Sequence, residues 1–278
     1  MTNLSTQTSS SRGQRFLQEL LSCRSDLSAG RATPYLETLR FQAEARLGEL
    51  TIPTTRDEDW KYTDLSGLLQ HSFQPQSPLP DLTQAALQNY VWPEAQTSRL
   101  VVLNGAWMPQ LSDLSGLPES ILIQPLSQID PERLQPYLQS LAAADTFTAL
   151  NTASLGDGIG VILPRNLQLQ QPLHILYINV PGPLPLLSQP RCLLVAETSS
   201  SAVVIEDFCS LGSGLSLTNA VTEIALQPNA QIQHLKLQRE HDQAFHISKT
   251  AVTQARDSRY QIHSPRFWGG NCPGIRWS

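Results

Sequence analysis

The chain has 278 residues, enough for a full hydrophobic core in one elongated or two compact domains. Charged residues make up 15% of it, against about 25% in ordinary soluble proteins, and Gln and Ser fill the difference. A net charge of -5 with no basic stripe argues against nucleic acid as a partner, and no apolar run approaches the roughly eighteen residues of a membrane span.

In chain order, Met1 to Arg15 is rich in Ser and Thr, has no acid, and reads as a frayed terminus rather than a transit peptide. Phe16-Leu17 with Leu20-Leu21 predicts a short amphipathic helix. A second helix is capped by Thr33, starts on Pro34, and aligns Leu36, Leu39, Ala43, Leu47 and Leu50 before Pro53 stops it. Gln74 to Pro80 reads as a loop and Asp81 to Tyr90 as one more helix. Leu100 to Leu103 predicts a strand entering a tight turn at Asn104-Gly105. Pro131 to Ala144 predicts a helix with Leu134, Leu138 and Leu141 on one side. Beyond Phe147 short apolar or alternating runs, each ended by Gly, Pro, Asn or Ser, predict β-structure almost to the end.

Three late segments share one pattern. Ala202 to Glu206, Ala230 to His234 and Tyr260 to His263 each follow a small polar corner, at intervals of 28 and 30 residues, and Ala220-Val-Thr222 recurs as Ala251-Val-Thr253 after 31. Such units cannot bury an apolar side alone and must stack, which predicts a β-solenoid; a β-sandwich is the alternative.

Four cysteines, Cys23, Cys192, Cys209 and Cys272, form no Cys-x-x-Cys pair. That is neither zinc nor cluster spacing nor a disulfide framework, and it fits a reducing cytosolic compartment. His234, His241 and His246, with Glu240 and Asp242, are the densest group of candidate metal ligands, since imidazole and carboxylate suit iron or zinc. The His-x-His pattern of a cupin is absent, and an exposed Glu-His-Asp turn is the competing reading. Asp57, Glu58 and Asp59 read as a solvated run whose Trp60 and Tyr62 anchor the segment onto a neighbour. Gly212-Ser-Gly214 lacks the lysine of a phosphate loop, and Cys209 beside Phe208 reads as a packed hydrophobe rather than a nucleophile. Glu197, Glu206 and Asp207 on successive coils would suit a carbohydrate-active solenoid enzyme. No catalytic residue is assigned, and cofactor-binding residues stay unknown.

Arg56-Asp-Glu-Asp-Trp-Lys-Tyr-Thr-Asp-Leu65 resembles the "E-x-W-[KR]-Y-T-D-L" segment of the SufD family, a subunit of the SufB–SufC–SufD iron–sulfur cluster assembly complex. Segments at Leu100 to Gly105, Phe147 to Asn151 with Asp157-Gly158, Leu217 to Asn219 with Glu223, and Lys236 to Gln238 with Glu240 and His246 resemble it in the same order. The resemblance implies a mainly β protein with α: an N-terminal helical domain followed by a right-handed parallel β-helix. It divides the chain into a helical region with polar tail (1–98), a mixed connecting segment (99–146), a β-helix core (147–264) and an aberrant tail (265–278).

It also implies a non-catalytic scaffold with a SufB-like paralogue and a SufC-like ATPase as partners, in the cytoplasm, or the plastid stroma of a plant or alga. No cofactor would be bound by this chain alone, the iron–sulfur cluster being handled by the complex. The tail Pro265 to Ser278 departs from the family's Gly-Gly-x-Leu-x-Arg pattern, which a shifted reading frame restores. The expectation is therefore a C-terminally truncated chain with impaired docking, the family's contact residues lying downstream.

Overall fold

The computed structural model describes residues 3–23, 33–76, 78–138 and 145–264. Helix α1 (Asn3–Ser22) runs back through the Ser/Thr-rich segment expected to fray, and buries Phe16, Leu17 and Leu20. Helix α2 (Pro34–Leu47) is capped as expected: Thr33 Oγ1 accepts from Leu36 N–H, and Leu36, Leu39, Ala43 and Leu47 are buried. The helix expected over Asp81 to Tyr90 is one turn, α3 (Gln84–Leu87), continued as a 3-10 turn to Tyr90. Helix α4 (Pro131–Leu138) buries Leu134 and Leu138, whereas Leu141 and the expected extension to Ala144 lie outside the described residues.

Among the described residues, twelve strands form two sheets. One runs β12 (Arg259–His263), β10 (Gln231–Arg239), β8 (Ser201–Ser210), β5 (Leu173–Asn179), β1 (Arg99–Leu103) and β2 (Ala106–Trp107). The other runs β11 (Ala244–Gln254), β9 (Ser216–Leu226), β7 (Arg191–Ala196), β4 (Ile159–Leu163) and β3 (Leu122–Pro125), with β6 (Leu186–Ser188) beside β9. All neighbours pair in parallel except β1–β2 and β3–β4. From β5 onward the chain alternates between the sheets, so each strand stacks on its counterpart one coil earlier. This is a parallel β-solenoid of about four turns, as expected.

The register corrects the repeat alignment. Ala202 faces Ile232 and Ile232 faces Tyr260, two residues from the aligned strand starts. Ala220 faces Ser248 rather than Ala251, so the two Val-Thr pairs do not stack. What repeats is the corner: Asn166, Ser199, Asn229 and Asp257 have φ of 62°, 59°, 63° and 58°. Asn166, Ser199 and Asn229 each donate their N–H to a carbonyl one coil on, at Thr198, Pro228 and Arg256. Short polar side chains tolerate this left-handed conformation, which an alternating strand cannot supply.

Two further expectations change. Residues 146–153, placed at the start of the β-rich region, form helix α5 (Thr146–Ala153), whose N-cap Asp145 accepts from Thr148 N–H. Every residue of α5 is buried, so no amphipathic period marks it. β1, at the head of the expected connecting segment, is an integral strand of the first coil, in register with β5.

Candidate functional site

Side chains alternate across each strand, so Ala202, Val204, Glu206 and Phe208 of β8 point between the sheets. The core there contains Tyr177, Cys192, Val204, Phe208 and Ile232. Into it the sequence puts a carboxylate, a histidine and a lysine.

Glu206 is fully buried. Its Oε1 accepts from Tyr177 Oη at 3.0 Å and Thr222 Oγ1 at 2.7 Å. Its Oε2 lies 3.1 Å from His234 Nε2, a charge contact outside aligned hydrogen-bond geometry. His234 Nδ1 meets Tyr260 Oη at 2.8 Å. Lys236, two residues along the same strand face, donates to Thr250 Oγ1 and sits 5.5 Å from the centre of the Phe208 ring. Burial pushes the Glu206 carboxyl up, but His234, Lys236 and Thr222 outweigh it and hold it at about 2. Burial pulls the Lys236 ammonium below its ordinary value, against Glu206, which raises it. Burial and Glu206 push Tyr177, Cys192 and Tyr260 up.

A second carboxylate lies across the Phe208 ring. Tyr177 stacks on Phe208 at 4.4 Å, and His246 meets it edge-on at 4.8 Å. His246 Nδ1 is 2.8 Å from Glu240 Oε2, and Glu240 Oε1 accepts from Thr218 and Asn179. Burial raises the Glu240 carboxyl, yet His246 and these donors bring it below its ordinary value. The expected exposed Glu-His-Asp turn is therefore half right. Asp242 is exposed, while Glu240 is buried at the end of β10.

The outer face of β8 carries Asp207, one residue from Glu206 and equally buried. Arg239 donates to it twice, at 3.0 and 2.6 Å, and Trp92 Nε1 donates at 3.0 Å. The Arg239 guanidinium lies 5.5 Å from the centre of the Tyr90 ring and 5.8 Å from that of the Trp92 ring. Burial raises Asp207, but His174, Arg239 and Trp92 hold it well below the usual carboxylate range. Cys209 is buried and its thiol is pushed up by desolvation and by Asp207, consistent with its reading as a packed hydrophobe.

His234, His241 and His246 do not converge: His234 belongs to Glu206, His246 to Glu240, and His241 Nδ1 accepts from Gln243 N–H. Among the described residues no three His, Cys, Asp or Glu side chains come together as a metal-holding group. Glu197 is not in this site; it pairs with Arg133 at a corner. Trp60 anchors as expected, buried 5.5 Å from Phe147, but Tyr62 is 92% exposed and anchors nothing. Gly212 and Gly214 take positive φ in the loop between β8 and β9. Tyr177, Thr222, Lys236 and Tyr260 were missed in the sequence. Their signal is period-two placement of polar residues among apolar ones, visible in Val204-x-Glu206-x-Phe208 and Ile232-x-His234-x-Lys236.

By class this is a parallel β-solenoid protein with a helical N-terminal region, its axis holding carboxylates locked in hydrogen-bonded networks. Residues 12–175 match the family model for the SufBD protein N-terminal region. Residues 179–271 match that for the SUF system FeS cluster assembly, SufBD core domain. The chain belongs to the SufBD family of iron–sulfur cluster assembly proteins. It is 35% identical, over 84% of its length and 54% of the relative's, to an iron–sulfur cluster assembly SufBD family protein of Synechocystis sp.. It is 27% identical to the iron–sulfur cluster assembly protein SufD of Escherichia coli, over 80% of this chain and 52% of that one. It is also 24% identical to the chloroplastic protein ABCI7 of Arabidopsis thaliana, over 82% and 49%. The chain spans about half the length of the curated relatives it matches.

Proposed function

We propose that this chain acts as a SufD-type scaffold subunit in iron–sulfur cluster assembly, with no catalytic turnover of its own. It pairs with a SufB-like paralogue and a SufC-like ATPase, and the cluster is the cargo of the complex. The observation that carries this reading is the match of both family models across the helices and every coil of the solenoid. The chemistry is compatible with it. The buried thiols of Cys192 and Cys209 are pushed away from thiolate, and Glu206, Glu240 and Asp207 are fixed by donors instead of being free for acid–base work. The compartment proposed is the cytoplasm, or the plastid stroma if the source is a plant or alga.

Co-expression with the SufB-like and SufC-like proteins of the same organism tests this. The chain should co-purify with the SufB-like protein, and cluster formation on the complex, followed by visible absorption, should be slower without it. Failure to co-purify, together with unchanged cluster formation, would refute the scaffold reading. Turnover of a polysaccharide by the purified chain would replace it with the carbohydrate enzyme.

A further inference from the structure

At the base of the solenoid lies a cleft of about 600 Å³, within the size range of ligand pockets. The terminal strands of the two sheets, β2 and β3, both line it. β3 pairs with β4 on one side only. Gln124 stands opposite Gly160, and Leu126 N–H donates to Gly158 at 2.9 Å. In an antiparallel ladder alternate residues turn their polar groups to the same side. Gln124 therefore bonds β4, and Ile123 turns its N–H and C=O toward the unpaired edge. Among the described residues no group takes the Ile123 N–H. Ser154 Oγ, at the end of α5, also lines the cleft, buried and without a hydrogen-bond partner.

The charge of the lining selects the occupant. Among the described residues its lining has no Lys, Arg or His, and the ionisable side chains there are Asp157 and Cys23. Burial raises the Cys23 thiol, which stays neutral, and the Asp157 carboxylate accepts from Ser127 and Gly158. Phosphates, carboxylates and nucleotides find no cation among those residues. What the lining offers instead is side-chain amide, at Gln76, Gln124, Gln128 and Gln189, around the apolar surface of Trp107 and Met108, the amide of Asn104 being taken up by Gln76 and Val180. Amides and a free strand edge match a polypeptide main chain.

We propose that this cleft binds a short, extended, uncharged peptide segment of a partner protein, which adds as a strand to the free edge of β3 through the N–H and C=O of Ile123.

The test uses the full chain and a pool of acetylated, amidated pentapeptides built from Gly, Ala, Ser, Thr, Gln, Leu and Val, read by ligand-detected NMR. Saturable binding is expected, and the best member should stop binding when alternate amides are N-methylated. Ile123→Pro removes the edge donor without touching the β3–β4 ladder, since proline suits an edge position. It should weaken that peptide about five- to tenfold, the worth of one hydrogen bond. Ser154→Ala, which leaves the backbone intact, should weaken it by a smaller factor and serves if the proline variant does not fold. No saturable binding from the pool, or equal binding of the N-methylated peptide, overturns the proposal. So does preferential binding of cellotetraose as a neutral carbohydrate probe. A dimer of the chain that the pool dissociates would place a second copy in the cleft and overturn the assignment to a partner.

Discussion

Glu206 is the residue on which the interior chemistry turns, because it meets Tyr177, Thr222 and His234 within a few ångströms and faces the charge of Lys236. Glu206→Gln removes the charge that offsets Lys236, and should cost about 3 kcal/mol in urea unfolding, as for other broken buried pairs. Combining it with Lys236→Met should return most of that loss, since no uncompensated charge is then left buried; no recovery would mean the two residues are not coupled. The same carboxylate sets an acid limit. Its folded-state pKa, about 2 against an ordinary 4.5, is depressed. Its contribution is therefore complete above the ordinary carboxylate value and drains away as pH falls from about 4.5 toward 2. Glu240 shifts the same way, whereas Glu223, raised by burial despite Arg191, shifts oppositely. Urea midpoints between about pH 6 and pH 3 should fall more steeply for the wild type than for Glu206→Gln; parallel slopes would remove Glu206 from the account. The sequence makes Glu206 visible as an acid among apolar residues, but its partners come from three other strands and no local pattern names them.

At the scale of elements, the segment carrying α3 and its 3-10 turns straps the outside of the first sheet without pairing with it. It is fastened by side chains: Trp92 to Asp207, Tyr90 Oη to the Ser210 carbonyl, and Gln84 to Arg99. Trp92→Phe keeps the ring over Arg239 and deletes one donor to a buried carboxylate, which should cost about 2 kcal/mol. Hydrogen exchange should then quicken over residues 84–95 before it does in β8 or β10. Uniform quickening would show that the strap and the coils open as one unit. Helix α2 was readable because its cap, its proline and its leucine spacing are local. Helix α5 was not, because Thr and Phe favour strands and burial on all sides erases the helical period.

At the scale of the whole molecule, the described coils stack along one axis and bury their apolar side chains between the two sheets. Among the described residues β12 ends its sheet, with the inward-facing Ile262 43% exposed and Tyr260 only partly covered. Open strand edges recruit other chains, and among the described residues no strand pairs with the outer side of β12. The purified chain should self-associate at tens of micromolar by light scattering, and Ile262→Lys should reduce this. A strictly monomeric wild type would show that the edge is covered.

The sequence by itself determined the solenoid and the family. Stacked coils repeat polar corners and alternating strands, both local signals, and the Trp60 segment is contiguous in the chain. It could not determine the register, because corners of unequal length shift the pairing by residues that carry no mark of their own. Nor could it pair Glu206 with His234 or Glu240 with His246, or leave Ile123 on a free edge. Those contacts join residues on separate strands or on the unpaired side of one, and only the stacking of coil on coil decides them.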